Sequence, residues 1–306
     1  MTSGQRVRRL AAVAALGAAL ACAGTRAPSS PPSGAAPKGH LLIVGGGPIP
    51  DPILDRFVEL AGGRGRARIV IFPMASESAD AGVELAEDFR KRGAEAERLV
   101  LTHEQAESAD AARRLDGVTG IWFGGGDQSR LTAALLHTPV EDAIHARYRE
   151  GAVVGGTSAG AAVMSTPMLT GDEKHPGGAR PPEKDSGDAY MTIARDNVVT
   201  TEGFALLPGA IVDQHFVRRR RNNRLLSLVL ENPDKIGVGI DESTAIEVDP
   251  TGVWRILGES VAVVFDARSA KVTPPASSPL GATGIRLSVL PAGSVFDPST
   301  GQARLP

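Results

Sequence analysis

The sequence predicts an α/β fold whose mostly parallel sheet is sandwiched by helices, with additional β strands towards the C-terminus. Three observations lead there. From residue 39 on, short apolar runs alternate with amphipathic ones, the pattern of parallel βαβ units carrying helices on both sheet faces. Several of the apolar runs end in glycines, at 45–47, 124–126 and 155–156. Beyond residue 235 the helical pattern gives way to a series of short β runs.

Taken in order, "HLLIVGGG" reads as a buried strand ending in glycines, and "DPILDRFVELAGG" as an amphipathic helix with a glycine stop. "RARIVIFPMAS" is a second strand and "ADAGVELAEDFRKRG" a second helix. "AERLVL" and "EQAESADAARRL" give the third strand and the third helix. "VTGIWFGGGDQ" is a strand running into a glycine-rich loop, with "SRLTAALLHT" and "VEDAIHARYRE" as helices after it. "GAVVGG" is the next strand. A polar loop, "GDEKHPGGARPPEKDSGD", precedes "IVDQHFVRRRRNNRLLSLVLENP", a strand leading into a helix. "KIGVGIDES", "TAIEVDP", "GVWRILG" and "SVAVVFDA" read as antiparallel strands that complete or flank the sheet, and "GSVFDPSTGQARLP" as a final turn and tail.

The chain is long enough for a large core, and its 42% hydrophobic and 22% charged residues are those of an ordinary globular protein. A net charge of −2 gives no general reason to expect nucleic acid as a partner. The first residues stand apart from the fold. "MTSGQRVRRL" is a basic stretch, followed by an apolar run too short to span a bilayer, as in an export signal. It ends at Ala19-Leu20-Ala21-Cys22, which resembles a bacterial lipoprotein signal with Cys22 as the lipidated residue; an ordinary cut after Ala21 or Ala23 is the alternative. Either reading exports the protein to the periplasm or outer surface, with membrane contact only through the lipid. Residues 1–21 are thus the signal, 22–38 a Pro/Ser/Ala-rich tether and 39–306 the folded domain. Cys22 is the only cysteine, which leaves no intramolecular disulfide and no cysteine nucleophile in the domain.

Chemistry enters at Gly156-Thr157-Ser158-Ala159-Gly160. This is G-x-S-x-G between a strand and an Ala-rich helix, the context in which the pattern places a serine nucleophile on a sharp turn. A serine nucleophile needs a base, and the base needs an orienting group. Of the six histidines, His40 precedes the first strand, His103 opens a loop, His137 and His145 sit in or beside helices, and His175 lies in the polar loop. His215 alone stands at the carboxyl end of an apolar strand, the edge where ligands gather in such sheets. The acid is either Asp241 or Glu242, since neighbours on a strand point opposite ways. A hydrolase-like chain order would instead draw on Asp188 or Asp196, before the histidine. A second oxyanion donor is available at Gly125 or Gly126. No His/Cys cluster suggests a metal, and the glycine loops match no nucleotide motif. Arg218, Arg219, Arg220, Arg221 and Arg224 crowd a predicted helix N-terminus, where the dipole disfavours cations unless an anion is bound.

Together "IWFGGGDQ", "GGTSAGAAVM", "IVDQHF" with its arginines, and "GVGIDES" resemble the cyanophycinase family, and "LLIVGGG" through "ARIVIFPMAS" is similar too. These are serine exopeptidases related to dipeptidase E, with a fold akin to class I glutamine amidotransferases. The resemblance runs from about residue 40 to about 266. It implies that Ser158 attacks, His215 is the general base and Glu242 orients it. It also implies that Gln128, Asp213, Gln214, Arg219, Arg221 and Arg224 line the substrate pocket; amides near Gly125 or Gly126 and at Ala159 are expected to hold the oxyanion. The substrate would be cyanophycin, poly-aspartate with an arginine on each side-chain carboxyl, released as β-aspartyl-arginine. Guanidinium groups suit its exposed carboxylates because they bind them in a bidentate fork. Arg220 departs from the family pattern, standing where a small residue is expected. The expected partner is an Asp/Arg-rich peptide or polymer, with a homodimer left open, and no cofactor is expected. Two alternatives stay open: a related peptidase for other aspartyl or acidic peptides, and a non-catalytic lipoprotein that captures anionic peptides.

Overall fold

The computed structural model describes residues 36–174, 192–275 and 279–306. The expected signal, Cys22, most of the tether, His175 and Asp188 lie outside the described residues.

The first half alternates as the apolar runs predict: β1 (Leu41–Val44), α1 (Asp51–Leu60), β2 (Arg68–Phe72), α2 (Val83–Lys91) and β3 (Glu95–Arg98). Next come α3 (His103–Ala106), α4 (Ala109–Arg113), β4 (Gly120–Phe123), α5 (Gln128–Leu135), α6 (Pro139–Glu150), β5 (Val153–Thr157) and α7 (Ala159–Ala162). The single helix expected over 104–115 is two, because Ser108 accepts a hydrogen bond from the Ala111 amide and caps a new start. The second half adds β6 (Met168–Glu173), β7 (Val198–Thr201), β8 (Ala210–Gln214), α8 (Asn222–Glu231), β9 (Ile236–Ile240) and β10 (Thr244–Val248). It ends with β11 (Trp254–Gly258), β12 (Val261–Asp266), β13 (Lys271–Val272), β14 (Ala282–Thr283), β15 (Arg286–Pro291), β16 (Val295–Asp297) and β17 (Gln302–Arg304).

Nine strands form the main sheet in the order β17-β16-β11-β10-β1-β5-β4-β2-β3. Neighbours from β1 to β3 are parallel, and β10, β11, β16 and β17 extend the sheet antiparallel. The expected C-terminal tail is therefore a hairpin, fixed by Phe296 packing on Trp254 with ring centroids 5.2 Å apart. Alternate residues of the parallel strands face opposite cores. Leu41 and Ile43 join one apolar cluster, while Leu42 and Val44 join the other with Phe57 and Trp122. Such two-sided burial is why these strands read as continuous apolar runs instead of alternating ones.

The strand that ends at His215 does not join the main sheet. β8 pairs in parallel with β9, and β12 and β15 complete a second, four-stranded sheet backed by α8. The two sheets meet where β1 ends: the His215 amide donates to the Gly45 carbonyl at 2.7 Å and the Ser243 amide to Gly46 at 2.9 Å. The chain itself crosses from the second sheet to the first between Ile240 and Thr244.

Candidate active site

Ser158 sits between β5 and α7 with φ 54° and ψ −110°, a strained conformation for a residue with a Cβ. The glycines on either side allow it. A Cβ on Gly156 would lie 2.4 Å from the Gly160 carbonyl oxygen, and one on Gly160 2.2 Å from that of Phe123. The serine is thus held on a turn so tight that only glycine fits on both flanks.

His215 follows β8 with φ 48° and is buried. Its Nε2 lies 2.9 Å from Ser158 Oγ, and its Nδ1 2.7 Å from Glu242 Oε1. Serine, imidazole and carboxylate therefore form one continuous hydrogen-bonded line, drawn from β5, β8 and the crossing between the sheets. Of the two candidate acids, Glu242 faces the histidine. Asp241 turns the other way, where its Oδ1 accepts from the Val217 and Arg218 amides and its Oδ2 from Ser260 Oγ. Asp196 is not the carboxylate that meets His215; its Oδ1 lies 3.8 Å from Lys174 Nζ.

Burial pushes the His215 pKa below its ordinary value of 6.5, against the upward pull of the hydrogen bond to Glu242. The charges of Arg219 and Arg221 push the same way as burial. The imidazole is consequently neutral near pH 7, the form that accepts a proton.

Gly125 lies against the serine: a Cβ on it would be 3.5 Å from that of Ser158. The Asp127 amide, donating to the Ala75 carbonyl at 2.9 Å, pins the loop. Among the described residues, neither the Gly125 nor the Gly126 amide donates to a backbone carbonyl. Ala159 opens α7, so its amide precedes the first intrahelical donors.

The residues expected to line a substrate pocket are partly committed to one another. Arg224 and Asp213 are buried as a bidentate pair, with Arg224 Nε 2.7 Å from Asp213 Oδ2. Arg221 is buried too, and its guanidinium donates to the Gln214 carbonyl at 2.8 Å and to the Gln214 side chain. Gln128 donates to the carbonyls of Leu169 and Thr170 at 2.8 and 2.6 Å. Arg218, Arg219 and Arg220 are exposed, and Arg218 Nε stands 4.0 Å from Glu242 Oε2. Among the described residues no group of three or more His, Cys, Asp or Glu side chains is placed to hold a metal ion.

One feature of the site was missed at the level of sequence, and another was legible only as a glycine run at the sheet edge where ligands gather. Asp241 holds the turn that follows His215, which adjacent carboxylates alone cannot announce. The glycines after β1 form the wall behind the histidine and the glutamate: a Cβ on Gly46 would lie 2.4 Å from the imidazole, and one on Gly47 2.9 Å from Glu242 Cβ. The run "GGG" was the available signal.

The family model described as peptidase family S51 matches residues 41–256. A cyanophycinase of Synechococcus elongatus is 34% identical over 278 residues, covering 87% of this chain and 81% of that protein. A cyanophycinase of Trichormus variabilis is 36% identical over 272 residues, covering 85% and 86%. Among solved structures, a peptidase from an acI-B1 actinobacterium superposes with a TM-score of 0.62 at 23% identity, over 85% of this chain and 97% of that one.

Proposed function

Because the chain belongs to peptidase family S51 and is a serine peptidase of the cyanophycinase and dipeptidase E type, we propose that it is an exopeptidase that hydrolyses the poly-aspartate backbone of cyanophycin and releases β-aspartyl-arginine. The observation that carries the proposal is the hydrogen-bonded line from Ser158 through His215 to Glu242.

In this reading Ser158 Oγ attacks a backbone carbonyl of the substrate and its proton passes to His215 Nε2. Glu242 accepts from Nδ1, fixes the tautomer and stabilises the imidazolium. The amides of Ala159 and of Gly125 or Gly126 receive the oxyanion. The C–N bond then breaks, and the leaving amine takes the proton from Nε2. Water, activated by the same imidazole, adds to the acyl-serine carbon and releases the acid while Oγ regains its proton. Exposed Arg218 and Arg219 beside Glu242 and His215 give the site a positive field suited to a carboxylate-bearing chain. The buried Asp213–Arg224 and Gln214–Arg221 pairs tie β8 to the start of α8, on either side of the segment that carries those arginines.

The purified protein incubated with insoluble cyanophycin, with Ser158→Ala alongside, tests the reading. Mass spectrometry is expected to find β-aspartyl-arginine from the parent and none from the variant. If the parent releases no product, cyanophycin is not the substrate, and a panel of aspartyl peptides replaces it. Export, with Cys22 as lipid anchor, belongs to the same proposal; metabolic labelling with a fatty acid that marks the parent and not Cys22→Ala is the expected result.

A further inference from the structure

A second candidate binding surface opens on the same edge of the main sheet. It is a cleft of about 500 Å³ at the carboxyl ends of β2 and β3, walled by α5 and the start of α3. Met74, Val100, Leu101 and Ala134 give it an apolar floor, and Arg98, His103 and Arg130 bring positive or protonatable groups to its lining. Glu77 is the acidic residue there.

The cleft and the serine are joined by contacts. Gly125 lies against Ser158, and Gly126 packs on the Ala75 carbonyl, where a Cβ would come within 2.2 Å. Ala75 in turn stands between Met74 and Ser76, both of which line the cleft. In the sheet, β4 and then β2 follow β5. At about 4.8 Å per strand the cleft lies on the order of 10–15 Å from Ser158, roughly three or four residues of extended peptide.

The charged groups are set up to accept an anion. Arg130 donates to Glu77 at 2.8 Å and to the Met74 carbonyl at 3.2 Å. Glu77 is 85% exposed, so this is a surface pair of low net energy that an incoming carboxylate can replace. Arg98 donates to the Ala79 carbonyl at 2.6 Å, while its Nε is buried without an acceptor among the described residues. His103 Nε2 lies 3.5 Å from Glu107 Oε1.

We propose that this cleft is an extended substrate site, in which Arg98 and Arg130 bind carboxylates of an acidic peptide chain whose reacting bond lies at Ser158. The inference rests on the function proposed above for its choice of ligand. The chain crosses the Gly124–Asp127 loop, and its aliphatic portions lie on the apolar floor. Longer substrates therefore bind more tightly than short ones, at no change in the chemical step.

The test uses the full chain carrying Ser158→Ala, with and without Arg98→Gln and Arg130→Gln together, titrated calorimetrically with aspartate oligomers of ten and of two residues. The double substitution is expected to weaken the ten-residue oligomer roughly tenfold, the size of losing two partly exposed charged contacts, and to leave the two-residue oligomer unchanged. Circular dichroism melts check that the variant folds. Equal affinity of the ten-residue oligomer with and without the arginines overturns the inference. So does an equal loss for both lengths, which marks a structural role, and so does failure of the ten-residue oligomer to bind the unsubstituted cleft. The readout is binding to an inactive protein. Oligomer binding by a protein that releases nothing from cyanophycin would thus keep the cleft and remove the polymer assignment.

Discussion

At the scale of single residues, the proposed base, His215, sets the expected pH response. Its protonated form cannot accept the proton of Ser158, so kcat/KM falls as pH drops through the folded-state pKa of His215. Burial and the two arginines place that value below 6.5, and the acid limb of the rate profile is expected below pH 6.5. Glu242→Gln removes the main influence raising that pKa, so the limb moves lower still while the rate falls roughly 10²–10⁴-fold. Arg219→Gln moves it the opposite way, and an NMR titration of the imidazole reads both shifts. The same depression carries over to stability. Between the unfolded and folded pKa values the unfolded chain binds more protons, so His215's contribution is present above about pH 6.5 and is lost as pH falls through the folded value. Asp241 works on the backbone behind the ring. Asp241→Ala strips an acceptor from two amides and the Ser260 hydroxyl and is expected to cost about 2–3 kcal/mol in denaturant unfolding. Its kcat should fall and its KM should rise, because Asp241 holds both the turn after His215 and the amide of Arg218 beside the site.

At the scale of elements, the strand–turn–helix around Ser158 was legible because its glycines and its apolar flanks agree on one geometry. The strand ends at His215 and Glu242 were legible for the same reason: a polar residue stops each apolar run. What the sequence hid was pairing. β8 has the composition of a main-sheet strand, yet it belongs to the second sheet, since composition reports burial and not the neighbour that supplies it. The break within residues 104–115 rests on one serine side chain, a local capping choice that helical periodicity averages over. The turn between β8 and α8 carries its own conflict. Arg220 has φ 55°, a backbone conformation that favours glycine, at the position where the family pattern has a small residue. Arg220→Gly is accordingly expected to raise stability by about 0.5–1 kcal/mol, as relief of left-handed strain outweighs added chain entropy, and a shift in urea midpoint at unchanged slope checks it.

At the scale of the whole molecule, stability and chemistry can be separated. The β16–β17 hairpin adds to the main sheet at its far end, with β11, β10 and β1 between it and β5. Phe296→Ala empties a buried site against Trp254 and should cost about 3 kcal/mol. It should lower Tm while leaving kcat for peptide hydrolysis unchanged at 25 °C. The joining of the two sheets has a different consequence, one in time. Ser158 is synthesised 57 residues before His215, and Glu242 another 27 residues later. At about 5–20 residues per second, roughly 4–17 s separate the nucleophile from the completion of its hydrogen-bonded line. In the proposed mechanism, a chain still on the ribosome, or one that stops short of residue 242, carries Ser158 but lacks the carboxylate that would orient its base, so activity would wait on the last of the three residues to be made.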